Sequence, residues 1–259
     1  MTLPIKVSRQ GAIATVVIAT PGKLNALSVA HWEALAAAMR DLQGHGGVRC
    51  IVVRGADGNF AAGADISEFS TVRSNVAEGT RYHEVTVRQA QEAIAQCAIP
   101  TLALIEGACV GGGLEIACSC DLRIAGASSR FGVPINRLGF PLAHAELTAM
   151  LGLVSRAVAL EILLEGRVFG AQEAYAKGLL TRIVPDDDVE REAYAAAERI
   201  ASGSPVAARA NKRWIRRLAP LQEPLTDAEI REHFAFFDGP DYKEGVRAFL
   251  AKTKPQFQD

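Results

Sequence analysis

The chain has 259 residues, 49% of them apolar and 22% charged, the balance of a globular protein and a length for one large domain or one with an appendage. A count of 28 Lys and Arg against 29 Asp and Glu leaves a formal charge of −1. That excludes a basic field for nucleic acid, so any anionic ligand must be held by local charges and backbone donors.

The first residues, Met1 to Lys6, lack the basic-then-apolar order of an export signal. No apolar run is long enough to span a bilayer; a cytoplasmic chain without a membrane partner is expected. The five cysteines, Cys50, Cys97, Cys109, Cys118 and Cys120, sit in apolar contexts without zinc spacing or companion histidines. They read as buried free thiols in a reducing compartment, and no metal is expected.

Ile5 to Ser8 and Ala12 to Ile18 read as two short strands around a turn at Gln10-Gly11. Ser28 caps a helix that carries Val29, Trp32, Leu35, Met39 and Leu42 at helical spacing, ended by Gly44, Gly46 and Gly47. Cys50 to Arg54 is a buried strand, followed by the loop Phe60 to Asp65. A helix with Val87, Ala90, Ile94 and Cys97 on one face stops before Pro100. Thr101 to Ile105 is a strand that leads into Gly111-Gly112-Gly113 and a short helix, and Asp121 to Ala125 is the next strand. These are successive β-β-α units rather than a strict β-α-β alternation.

From Ala143 onward the sequence is helical. Pro185 to Asp188 opens a helix with acidic residues at the positive end of its dipole. Gly203-Ser204-Pro205 breaks it, Lys212 to Leu218 forms a basic helix, and Thr226 and Asp241 begin two more. Phe234, Phe236, Phe237 and Phe249 give this tail apolar surface to bury on its own core or on a neighbour. His31, His45, His83 and His233 fall on helix or loop surfaces and are expected to face solvent.

Two glycine loops carry the chemistry. Ala62-Gly63-Ala64-Asp65-Ile66 follows a strand, and Gly111-Gly112-Gly113-Leu114-Glu115 joins a strand to a helix. A triple glycine opening a helix leaves backbone N–H groups unpaired and lets another group approach closely. Such donors suit a developing oxyanion, and a carboxylate one turn inside the helix lies close to whatever they hold. Gly107 to Gly112 does not spell the dinucleotide-binding G-x-G-x-x-G.

The order of Asn25-Ala26-Leu27-Ser28, Phe60 to Ile66, Pro100 to Asp121, Arg130 to Pro134, Leu138-Gly139 and Tyr242 to Phe249 closely resembles the crotonase (enoyl-CoA hydratase/isomerase) family. The resemblance runs nearly end to end. It implies an α/β fold, a β-β-α spiral core over residues 1–200 with a helical C-terminal trimerisation region over 201–259. It also implies a homotrimer or a hexamer built of two trimers, since the aromatic tail of a lone monomer would leave an exposed apolar patch.

The same resemblance implies an enzyme that stabilises a thioester enolate, with CoA arriving as part of the substrate and no separate cofactor. The backbone N–H groups at Ala64 and Gly112 match the donors that hold the thioester oxygen, with Gly111 beside them. Ala62, Asp65 and Ile66 match the segment that holds the adenine, and Lys23 is placed to reach a CoA phosphate. Phe249 and Lys252 match residues that contact CoA across a subunit boundary. Asp65 is expected to brace its own loop, and Ser67 stands where the family often has a lysine.

Family hydratases use two glutamates. Glu115 matches the first, as base or water-positioning residue, but Ile135 occupies the place of the second. Three readings stay open: a hydratase with a replacement acid, for which Glu146 and His144 are near enough in sequence; an isomerase that shuttles one proton with a single base; and an acyl-CoA binder without catalysis. The pocket walls are expected from Ser70 to Arg88 and from Ile135 to Ala149.

Overall fold

A computed structural model describes residues 3–44, 46–218 and 226–256. Six strands form one sheet: β1 (Ile5–Gln10), β2 (Ile13–Ile18), β3 (Cys50–Gly55), β4 (Thr101–Ile105), then, beyond β5 (Ala108–Val110), β6 (Leu122–Gly126) and, near the chain's last third, Arg182–Val184. The first two pair antiparallel across the Gln10-Gly11 turn and the rest are parallel. A smaller sheet joins β5 to β7 (Arg130–Gly132) and β8 (Phe169–Gly170), which makes Arg182–Val184 strand β9.

The central strands are covered on both faces, as parallel strands must be. Val52, Leu102 and Leu104 pack on one side against Val189, Ala193 and Ala197 of the helix Val189–Ser202. Ile51, Val53, Ala103 and Ile105 face the other side, toward Trp32, Leu35 and Met39 of the helix Val29–Gly44 and toward Ala90 and Ile94. One run of apolar residues per strand therefore feeds two layers of helix, and the edge strand β1, with a single buried position, feeds one.

The spiral is visible in the pairing. After β3, the loop pairs Ala61 with Cys109 of β5, and Leu27 pairs with Ala64. Each turn thus gives one strand to the large sheet and one short extended segment to the small one. β5, β7, β8 and β9 are only two or three residues long, too short for an alternating pattern to show.

The tail buries its aromatic rings on its own chain. Phe234 and Phe237 are fully buried in a cluster with Phe69, Leu138, Phe140, Ala143 and Tyr242. The expectation that a monomer would expose this cluster is overturned, because the helix Val76–Arg81 and the segment Pro134–Leu138 supply the cover. Phe249 alone of the four is largely exposed, at 53%.

Two of the four histidines expected in solvent are buried. His31 hydrogen-bonds Ser28 at its own helix start and Thr20 in the preceding loop. His83 lies in Tyr82–Val87, a π-helical stretch between the helices Val76–Arg81 and Arg88–Ala95. The wider i→i+5 register adds a residue to the turn and brings Tyr82, His83 and Val87 inward together. His45 and the His233 side chain lie outside the described residues. All five cysteines are free and buried; burial pushes the Cys50, Cys118 and Cys120 thiols up to about 12.

Candidate active site

The two glycine loops lie side by side. A Cβ on Gly63 would stand 3.1 Å from the Val110 carbonyl oxygen and 3.6 Å from the Gly112 nitrogen. A Cβ on Gly113 would come 2.2 Å from the Ala61 carbonyl, so no side chain fits where the loops cross. Gly63 and Gly111 sit at φ +100° and +51°, which favours glycine.

This crossing leaves two amides free. Leu27 N–H donates to Gly63 O and Asp65 N–H to Leu27 O, so the intervening Ala64 N–H points to the other side of its segment. Gly112 opens the helix Gly112–Ser119, whose first N–H groups have no partner within the helix. Ala64, Gly111 and Gly112 line a cavity of about 320 Å³.

Its walls come from both expected segments: Arg73, Tyr82, His83 and Val87 from one, Ile135, Leu138, Phe140, Leu142 and Glu146 from the other. Glu115 also lines it, 7% exposed. Burial and then the nearby Glu146 charge push the Glu115 carboxyl well above the usual range, against the Arg73 charge. Gln91 Nε2 lies 3.4 Å from its Oε2.

Glu146 is the opposite case. Burial pushes it up, but His83, Arg73 and the Ala143 N–H outweigh burial and hold it below the usual value. Its Oε1 lies 2.5 Å from His83 Nδ1 and its Oε2 accepts from Ala143 N–H at 3.2 Å. Glu146 thus caps its helix and enters the cavity at once. Burial pushes His83 down, so a neutral ring donates its Nδ1–H to an ionised carboxylate.

Sequence reading missed Arg73, Tyr82 and His83. Arg73 is 3% exposed and stacks against Phe69 and Tyr82, at 3.9 and 4.0 Å from their ring centres. Cation–π contacts of this kind contribute about 1–2 kcal/mol each, less than the several kcal/mol that removing an ion from water costs. Nothing in the residue types around it marks Arg73 in the sequence; the π-helical turn that moves His83 inward is likewise silent.

The remaining expected residues divide. Ala62, Ile66, Ile135 and Phe249 line the cavity of their own chain. Asp65 braces its loop through Ser67 N–H and Oγ, and pairs with Lys23 at 2.7 Å. Lys23 is more than half exposed and, with Lys252, lies outside the cavity lining. His144 pairs with Glu84 and does not line the cavity.

Residues 8–259 match the model of the enoyl-CoA hydratase/isomerase family. The chain belongs to this family. A probable enoyl-CoA hydratase of Rhizobium meliloti is 33% identical over 255 residues, 97% of this chain and 96% of that one. An enoyl-CoA hydratase/carnithine racemase structure from Magnetospirillum magneticum is 43% identical, covers 100% of this chain and 96% of its own, and has a TM-score of 0.82. A methylmalonyl-CoA decarboxylase complexed with 2S-carboxypropyl CoA is 28% identical, covers 100% and 99%, and reaches 0.89.

The crotonase architecture expected from the sequence is the one observed, and the family is one of acyl-CoA enzymes. Among the described residues no group of His, Cys, Asp and Glu could hold a metal ion, and no helix is long and apolar enough to cross a membrane.

Proposed function

We propose that this site hydrates a 2-enoyl-CoA, with Glu115 and Glu146 as its two carboxyl groups. The observation that carries this reading is the juxtaposition of two free amides, Ala64 and Gly112, with two buried carboxyls in one cavity, Glu115 pushed up and Glu146 held down by their surroundings. The thioester oxygen sits between the amides, which stabilise it as charge builds on the enolate. Ionised Glu146 takes a proton from water as the hydroxyl adds to C3, and protonated Glu115 gives its proton to C2. The two carboxyls then re-equilibrate by passing a proton back. Environments that drive two carboxyls apart in pKa assign the acid and the base, which makes Glu115 the acid rather than the base.

Ile135 is no obstacle in this scheme, because Glu146 reaches the cavity from the next helix. A second reading, double-bond isomerisation, needs Glu115 alone to move a proton between two carbons. It is favoured by the engagement of both Glu146 oxygens. CoA enters as part of the substrate, with no further cofactor, in a cytoplasmic protein.

Lys23 and Lys252, on the surface, are left to the CoA phosphates. A trimer or hexamer belongs to the same reading, now carried by Val206, Ile215 and Leu218, each at least 70% exposed on the helix Pro205–Leu218. Loss of the conjugated thioester absorbance of crotonyl-CoA tests hydration, in wild type and Glu115→Gln. Turnover that collapses in the variant supports it. Binding of crotonyl-CoA without turnover in the wild type sinks short-chain hydration and leaves isomerisation, another acyl group or a binder.

A further inference from the structure

The hydration scheme leaves one group in the cavity unused. Arg73 is buried, lines the cavity, and has aromatic rings against its guanidinium: Phe69, Tyr82 and, at 5.6 Å, Phe140. Rings cover the faces of the cation, and of its in-plane donors one engages the Tyr82 hydroxyl. Its Nε has no hydrogen-bond partner. No carboxylate among the described residues pairs with it, since Glu146 is held by His83 and Ala143.

A buried guanidinium with an open edge is half of an ion pair. The other charged groups that line the cavity do not complete it. Glu115 Oε2 faces Gln91 Nε2, Glu146 is engaged by His83 and Ala143, and Arg137 stands exposed at the rim. A carbonyl or hydroxyl would satisfy one donor and leave the charge. A carboxylate matches two coplanar donors and cancels it.

The position suits a short acyl chain. A Cβ on Gly112 would lie 2.9 Å from Trp32 Cζ2, Trp32 Nε1–H donates to Tyr82 Oη at 2.9 Å, and the Tyr82 ring stacks on Arg73. Gly112 and the guanidinium are thus linked through the Trp32 and Tyr82 rings, and both line the cavity of about 320 Å³. We propose that the acyl group taken by this site carries a second carboxylate, which docks edge-on against Arg73. The inference rests on the acyl-CoA reading of the site and narrows its substrate class.

Calorimetric binding of succinyl-, glutaryl- and adipyl-CoA, each against the monocarboxylic thioester of equal carbon number (butyryl, valeryl, hexanoyl), tests it on the full chain. At least one dicarboxylic thioester is expected to bind about tenfold to hundredfold more tightly than its partner, the range of a charge-assisted hydrogen-bond pair. Arg73→Gln should bring that ratio close to one, and Arg73→Lys should keep part of it. Equal affinity within every pair in the wild type, while the monocarboxylic thioesters bind, overturns the proposal. A preference that persists in folded Arg73→Gln, with far-UV dichroism as the folding check, overturns it as well. If the variant does not fold, the wild-type ratios decide alone. Failure of all six thioesters to bind is a different result, and it strikes at the acyl-CoA reading itself.

Discussion

His83 Nδ1 stands 2.5 Å from Glu146 Oε1, with both side chains 4% exposed and the far edge of the imidazole, Nε2, without a partner. Phe234 stacks on the ring at 5.7 Å and Phe237 lies tilted against it at 5.9 Å. The tail of the chain thus covers the His83 ring with its own aromatic side chains.

Glu146→Leu leaves His83 Nδ1–H and Ala143 N–H without an acceptor and should cost about 3 kcal/mol. Glu146→Gln keeps an acceptor and should cost about 1 kcal/mol. Crotonyl-CoA hydration is expected to fall about a hundredfold in both. Denaturant midpoints and kcat together separate the roles: a Gln variant with wild-type kcat would leave Glu146 as a helix cap and nothing more.

Glu115→Gln removes the proton that the scheme delivers to C2. We expect kcat to drop by about 10²–10⁴ with butyryl-CoA affinity nearly unchanged, since the free amides of Ala64 and Gly112 are untouched. Stopped assays for kcat and calorimetry for binding read the two quantities separately. Loss of binding with kcat intact would place Glu115 in the pocket wall instead.

The same carboxyl fixes the sign of a pH effect. Buried Glu115 keeps its proton where the unfolded chain, with the ordinary value of 4.5, has lost it. Its contribution to stability is whole below 4.5 and is lost as pH rises toward the elevated folded value. Glu146, held low, acts in the opposite sense, but it is common to wild type and Glu115→Gln. The stability of the variant relative to wild type should therefore increase with pH, by at most about 1.4 kcal/mol per unit. Guanidinium titrations of both proteins across pH check it, and a flat difference would show that Glu115 ionises normally.

Gly113→Ala would put a Cβ 2.2 Å from the Ala61 carbonyl and Gly112→Val would drive into Trp32 at 2.9 Å. The first pushes the two loops apart, and the second displaces the Gly112 amide away from Trp32. A loss of about 10²–10³ in kcat/KM is expected, the scale of one oxyanion donor. If kcat/KM stays within a few-fold in folded protein, the amides are not the oxyanion donors.

The sequence carried the scaffold of this site because glycines and strand-length apolar runs announce themselves. Gly113 is required by backbone contact and Gly63 and Gly111 by their positive φ, and Cys50–Gly55 and Thr101–Ile105 are buried on both faces. The walls were hidden for equally physical reasons. Phe169–Gly170 is a strand of two residues, shorter than any period. His83 turns inward because of a π-helical register, which no 3.6-residue pattern displays. Arg73 is buried by three aromatic rings drawn from Phe69, Tyr82 and Phe140, and only the folded chain brings those together.

How the tail reaches the cavity gives the last prediction. A Cβ on Gly79 would meet Phe237 Cε2 at 2.0 Å, and one on Gly245 would meet the Leu138 carbonyl carbon at 2.3 Å. Gly79 lies inside the helix Val76–Arg81 and Gly245 inside Pro240–Leu250, where alanine ordinarily stabilises by about 0.5–1 kcal/mol. Here the propensity gain is set against overpacking of about 1–3 kcal/mol, so both Gly→Ala changes should lower stability. Gly79→Ala should also loosen acyl-CoA binding, because Phe237 packs against His83, which lines the cavity. A stabilised Gly79→Ala protein with unchanged affinity would mean that the tail rests on the cavity without shaping it.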